Sequence, residues 1–188
     1  MPYEFVPWKP AFLKTEAHLA QHPFGRMPVF EHDGFSLYET QAILRYVAEA
    51  FPGEPLVPEG LRERARMNQL IGIQDWYFFP KFASIAVFER VIKHRLMRQP
   101  ADEAVVAAAM PMGRTCMAEA AKLMGDGPYL TGNALSLADL HWAPQLYYLS
   151  LMPEGEELFA AHPSLKAWFG RMVKRPAMKH TMLFGMEG

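Results

Sequence analysis

Residues 22–46 read HPFGRMPVFEHDGFSLYETQAILRY, and the rest of the chain is best understood outward from them. Pro23-Phe24-Gly25 signals a turn. Met27 to Glu31 reads as a strand entered through Pro28, where a proline costs no interior ladder bond. Asp33-Gly34 is a strong hairpin signal, because both residues tolerate the positive φ of a tight turn. Phe35 to Tyr38 is the return strand, with Phe35 and Leu37 giving it an apolar face. Thr40 is expected to be the N-cap of a helix in which Ile43, Val47 and Ala50 share one side.

Two places in this stretch could hold a ligand. Only ~5–6% of X-Pro bonds in folded proteins are cis, so the local sequence favours an ordinary trans bond at Met27-Pro28. Were it cis, the Met27 N–H and C=O would face outward as a pair on which an extended peptide could add as a strand. At Glu39-Thr40, a helix N-terminus offers unpaired N–H groups and partial positive charge to a carboxylate. The Thr40 hydroxyl adds a donor, and Glu39 can accept an ammonium. An α-amino-acid end group carries both charges; a plain helix cap beside an exposed glutamate is the simpler reading.

N-terminal to this stretch, Tyr3 to Val6 is a short run suited to one strand, and Phe12 to Gln21 to a short polar helix. C-terminal to it, the proline-rich residues 52–60 form a linker. From Leu61 onward the pattern is helical. One helix is expected over Leu61 to Met97, with a break near Pro80. A second runs from Ala101 to Met124, interrupted or bent near Pro111-Met112-Gly113. A third starts at Ser136, and a short one covers Leu165 to Val173. The organisation is therefore a βαββα unit over 1–51, the linker, and an all-helical domain over 61–188.

Ser136-Leu137-Ala138-Asp139 has the form of a capping box, flanked by Leu135 and Leu140 as a hydrophobic staple, and we read it as structural. In the cluster Asp75-Trp76-Tyr77-Phe78-Phe79 most rings are expected in the core, while Trp76 and Tyr77 could line an apolar substrate pocket. His141 reads as a satisfied core or boundary histidine, and Cys116 as an inert thiol.

Composition sets the outer bounds. Net charge is −1, with lysine and arginine scattered, so no global field draws the chain to nucleic acid or anionic lipid. One cysteine excludes an intrachain disulfide framework and a CxxC pair or zinc cluster, and no metal is expected. The N-terminal sequence has no secretory pattern, and no window reaches the ~18 apolar residues a membrane helix needs. The expectation is a cytoplasmic protein with no membrane or nucleic-acid partner.

Three segments, in order, resemble the cytosolic glutathione S-transferase family, most closely its phi-like and related bacterial branches. PFGRMPVFEHDG resembles NPFGQVPVLEDG, YETQAILRYV resembles FESRAIARYI, and YLTGNALSLADL resembles FLAGDRLTLADL. The resemblance implies a thioredoxin-like N-terminal domain followed by an all-α domain, usually as a homodimer. It implies that Met27-Pro28 is cis, with the Met27 backbone pairing with the cysteinyl part of glutathione. Glu39 and Thr40 would hold the γ-glutamyl end. Lys14 and Arg26 lie near positions that meet the glycyl carboxylate, and Asp75 would reach the γ-glutamyl site of the dimer partner. Glutathione is then a co-substrate for a small apolar electrophile.

The resemblance also brings a departure. Family members carry a strand and a long helix before the segment resembling Tyr3 to Val6, with a Ser, Tyr or Cys that activates the thiol at the start of that helix. No residue here matches that position, so no catalytic residue is assigned. The alternative expectation is a non-catalytic interaction or scaffold module on the same fold.

Overall fold

The computed structural model describes residues 2–7 and 10–181. The chain forms two compact units, Met1–Pro55 and Leu56–Gly188. The division falls within the proline-rich segment. Leu56 belongs with the helices because its carbonyl accepts the Leu137 N–H at 3.0 Å.

The first unit opens with a 3₁₀ turn, Pro10–Lys14, and helix α1, Glu16–Gln21. Thr15 divides what the sequence suggested as one helix. Its hydroxyl donates to the Phe12 carbonyl and accepts the His18 N–H, capping α1. Strands β1 (Val29–His32) and β2 (Phe35–Tyr38) form an antiparallel hairpin with Val29 opposite Tyr38 and His32 opposite Phe35. Asp33 and Gly34 turn it at φ 51° and 79°, the two positive values of a type I′ turn.

The expected strand at Tyr3 to Val6 does not form, so the βαββα expectation loses its first strand. An extended segment becomes a strand only when its N–H and C=O groups pair with a neighbour. The sheet has two strands among the described residues, and Tyr3, Phe5 and Val6 are exposed. Helix α2, Thr40–Ala50, buries none of its residues completely. Ile43 and Val47 are half-buried, but Ala50 is exposed, so the expected apolar face is narrower.

In the second unit, residues 61–97 run as one helix, α3. From Gln74 to Ala83, and again from Phe88 to Ile92, its bonding widens to i→i+5. Pro80 lies in the first wide stretch. Proline has no N–H for the ladder and its ring crowds the preceding turn, and a widened turn is one way a helix continues past it. The expected break therefore does not occur. α3 stops at Arg98, which takes a left-handed conformation at φ 54°.

Helix α4, Glu103–Met124, likewise runs through Pro111 without interruption. Two residues on, a Cβ at Gly113 would fall 2.8 Å from the buried Phe82 ring, so the glycine lets α4 approach α3. Helices α5 (Leu137–Leu149), α6 (Pro153–Ala161), α7 (Pro163–Met172) and α8 (Pro176–Thr181) complete the unit. α6 is absent from the sequence expectation, although Pro153 at its start with Glu154 and Glu156 in its first turn is an ordinary helix-opening signal.

The core is built from Trp142, Trp168, Phe78, Phe82, Met67, Leu70 and Met117. At its centre the capping box at the start of α5 forms. Asp139 is fully buried and accepts four hydrogen bonds at 2.8 Å: Leu130 N–H and Trp168 Nε1–H on Oδ1, the Ser136 N–H and hydroxyl on Oδ2. Burial pushes its carboxyl above the ordinary range, while the four donors favour the ionised form. Leu135 is buried and Leu140 half-buried beside it.

Ion pairs tie the outer faces of α3, α4 and α6. Arg90 bridges Glu103 and Glu154, and Glu89 accepts Lys93 Nζ and the Asp102 N–H. The hydrogen bond from Lys93, then that from Asp102, holds the Glu89 carboxyl below its ordinary range, and Arg90 does the same for Glu103. A depressed folded-state pKa contributes stability above the unfolded value and loses it as pH falls through the folded one. Glu89→Gln should therefore unfold at lower urea than the wild type at pH 7. The gap should close as pH drops below the carboxylate range; a gap of constant size across a pH series of urea titrations would contradict the ionic account.

Candidate functional site

The hairpin register sets the site. Because Val29 faces Tyr38, Met27-Pro28 enters and Glu39-Thr40 leaves at the same end of the two-stranded sheet. The Met27-Pro28 bond is cis, against what the local sequence favours and as the resemblance implied. Among the described residues no backbone hydrogen bond engages the Met27 N–H or C=O. Met27 is 44% exposed.

Across from it, the helix cap is displaced by one residue from the sequence expectation. Glu39, not Thr40, is the N-cap of α2, and Thr40 is the first helical residue. The physical reason is the backbone of Glu39, which turns at φ 71° and ψ 115° and so cannot belong to the helix. That is a region non-glycine residues seldom occupy, and such residues cluster where a surrounding structure holds them for function. The Glu39 carbonyl accepts the Ala42 and Ile43 N–H groups. The Thr40 and Gln41 N–H groups take no backbone partner among the described residues, and both Glu39 and Thr40 are exposed. Two N–H groups without backbone partners and the side chains of Glu39 and Thr40 thus lie at the same end of the hairpin as the Met27 backbone.

The loop leading to Met27 is fixed from α1. Gly25 turns at φ 60°, and a Cβ there would lie 3.0 Å from the Leu13 carbonyl oxygen. The Gly25 N–H bonds the His22 carbonyl at 2.8 Å, and His18 Nε2 meets the Arg26 carbonyl at 2.8 Å. Since a carbonyl only accepts, Nε2 of His18 carries the hydrogen. Arg26 and Lys14 are exposed, in backbone segments that touch where Leu13 faces Gly25. Neither forms an ion pair among the described residues. The sequence reading passed over His18 and His22; histidines four apart in a short polar helix just before the turn were the available signal.

The remaining residues singled out from the sequence lie in the helical unit. Trp76 is 73% exposed, and Tyr77 is exposed with Lys81 Nζ 5.0 Å from its ring centre. Phe78 is core. Asp75 and His141, read separately, pair with each other at 2.7 Å through Nε2; His141 is buried and its Nδ1 has no partner, so the histidine is a core residue only half satisfied. Cys116 is buried, and burial pushes its thiol up to about 11, which leaves it protonated and inert at neutral pH.

Comparison with known proteins bears on the same parts. Residues 1–49 match the family model of the glutathione S-transferase N-terminal domain, and residues 103–171 that of its C-terminal domain. The chain is 33% identical over 184 residues to glutathione S-transferase F14 of Arabidopsis thaliana, covering 95% of this chain and 72% of that one. Among solved structures, glutathione transferase F7 from Populus trichocarpa superposes with a TM-score of 0.84 at 29% identity, covering 96% of this chain and 85% of that one. Glutathione S-transferase I from mais, solved in complex with an atrazine glutathione conjugate, gives 0.78 at 25% identity, with 96% and 87% covered.

Proposed function

Because the chain belongs to the glutathione S-transferase family, with relatives on its phi-like branch, we propose that it binds glutathione at the open end of the hairpin, for transfer to small apolar electrophiles. The observation that carries the reading is the register, which brings the free Met27 backbone beside the Glu39-Thr40 donor and acceptor set. The cysteinyl part of glutathione pairs with Met27 next to Pro28. Its γ-glutamyl carboxylate meets the Thr40 hydroxyl and the first N–H groups of α2, and its ammonium meets Glu39. Arg26 and Lys14 supply positive charge for the glycyl carboxylate. On the helical unit, Trp76 and Tyr77 offer exposed aromatic surface to an apolar electrophile. The protein acts as a cytoplasmic homodimer. A mais relative solved with a glutathione conjugate supports the ligand class.

The second reading is a non-catalytic interaction or scaffold module on the same fold, which the family match of the two domains also accommodates. Glutathione affinity separates the two. Isothermal titration of the full chain should show glutathione binding that Thr40→Val weakens about tenfold, the loss of one hydrogen bond to a charged group of about 1.4 kcal/mol. Glu39→Gln should weaken it by a similar factor. Both side chains are exposed, so far-UV circular dichroism should not change. A folded wild type that ignores glutathione would favour the second reading.

A further inference from the structure

Among the described residues of the first unit, two side chains are nine-tenths or more buried, and both are imidazoles: His18, 5% exposed, and His22, 2% exposed. Their surroundings differ. His18 is tied by its Nε2–H to the Arg26 carbonyl. His22 is held by ring faces. Its ring centre lies 4.7 Å from that of Tyr38, 6.1 Å from Phe24 and 6.1 Å from His18. Its Nδ1 is buried with no hydrogen-bond partner. What the structure shows for this imidazole is the contact of its ring faces and edge with neighbouring rings, and no hydrogen bond at Nδ1.

What those faces touch is the residue before Glu39. Tyr38 is the last residue of β2, packed between His22 and Phe24. Glu39 must then leave the strand at positive φ and still present its carbonyl to Ala42 and Ile43. A backbone held in a sparsely populated region persists only where neighbours over-determine it. No hydrogen-bonding side chain caps α2. Beside the ladder pairing of Tyr38 with Val29, the ring packing on Tyr38 supports Glu39 from the strand side.

We propose that His22 is a positioning residue: packed against Tyr38, it holds Glu39 and the first turn of α2 in register with the loop that carries Arg26 and Met27. This rests on the proposed glutathione site for its consequence, but the positioning itself is measurable without ligand. Among the described residues no hydrogen bond joins His22 to Met27 or Glu39, and its link to Glu39 runs through the ring contact with Tyr38.

The test uses amide hydrogen exchange and glutathione titration on the full chain. In His22→Ala, exchange at Ala42 and Ile43, whose N–H groups bond the Glu39 carbonyl, should speed up at least tenfold, while Val47 and Ala48 in the same helix stay within threefold of wild type. Glutathione should bind at least fivefold more weakly. His22→Phe keeps a ring against Tyr38 and discards the orphan nitrogen. It should restore both exchange and affinity to within about twofold, the conservative swap being near neutral when no hydrogen bond is lost. Unchanged exchange at Ala42 and Ile43 in His22→Ala would overturn the proposal. Uniform loss of protection along α2 would also overturn it, since that marks a general core role, as would failure of His22→Phe to rescue. Should the wild type not bind glutathione while the exchange pattern follows as stated, the binding reading fails and the positioning of Glu39 stands.

Discussion

Asp139→Ala is expected to lower the stability of the helical unit by about 3–5 kcal/mol, a large share of the ~5–15 kcal/mol that holds a typical domain together. The reasoning follows the four donors it would abandon. Leu130 N–H, Ser136 N–H and Trp168 Nε1–H are buried and have no solvent to turn to. Each unsatisfied buried donor costs about 1–3 kcal/mol, and the cap of α5 is lost as well. Ser136→Ala removes one donor but leaves Asp139 Oδ2 the Ser136 N–H, so it should cost only about 1 kcal/mol. Urea titration at pH 7 checks both. An Asp139→Ala loss below about 1 kcal/mol would show that water enters the site freely, and the network would then be a surface cap in energetic terms.

The second large effect comes from a glycine. A Cβ built on Gly155, in the first turn of α6, falls onto the Leu149 carbonyl oxygen at the end of α5. In an exposed helix interior, glycine to alanine gains up to about 1 kcal/mol. Here the obstacle is backbone, whose carbonyl already accepts the Met152 N–H at 3.1 Å and has little room to yield. Gly155→Ala should therefore destabilise by about 3 kcal/mol, the upper end of ordinary overpacking. Gly170→Ala in α7 is the internal comparison, because a Cβ there meets nothing within 4 Å. It should gain a few tenths to 1 kcal/mol. Opposite signs for the two variants in one thermal-melt series are the expected result; a gain for both would refute the packing argument.

What the sequence made legible was local chemistry. Asp33-Gly34 determines a tight turn by itself, and Ser136 to Asp139 determines a helix start, because every atom involved lies within four residues. The family likeness, carried by three short segments, supplied the cis bond that local statistics argued against. The misreadings share another origin: the deciding partner is remote. Whether Tyr3 to Val6 becomes a strand depends on a neighbour, not on its own β-branched and aromatic residues. Whether Pro80 breaks its helix depends on how α3 widens, and the close approach of α4 to α3 depends on Gly113 meeting Phe82. Glu39 offers no sequence sign of its positive φ. Asp139 looked like half of a capping box, and only the fold brings Trp168, 29 residues on, to its other oxygen.

That last contact has a spectroscopic consequence. The helical unit contains three tryptophans in two kinds of surroundings. Trp142 and Trp168 are fully enclosed, with indole nitrogens bonded to the Leu70 carbonyl and to Asp139, whereas Trp76 faces solvent. Their emission should divide accordingly, into a short-wavelength component shielded from acrylamide and a long-wavelength component open to it. Since one of the shielded indoles is bound to the buried carboxylate itself, the blue component is a direct optical reporter of whether that carboxylate is still in place.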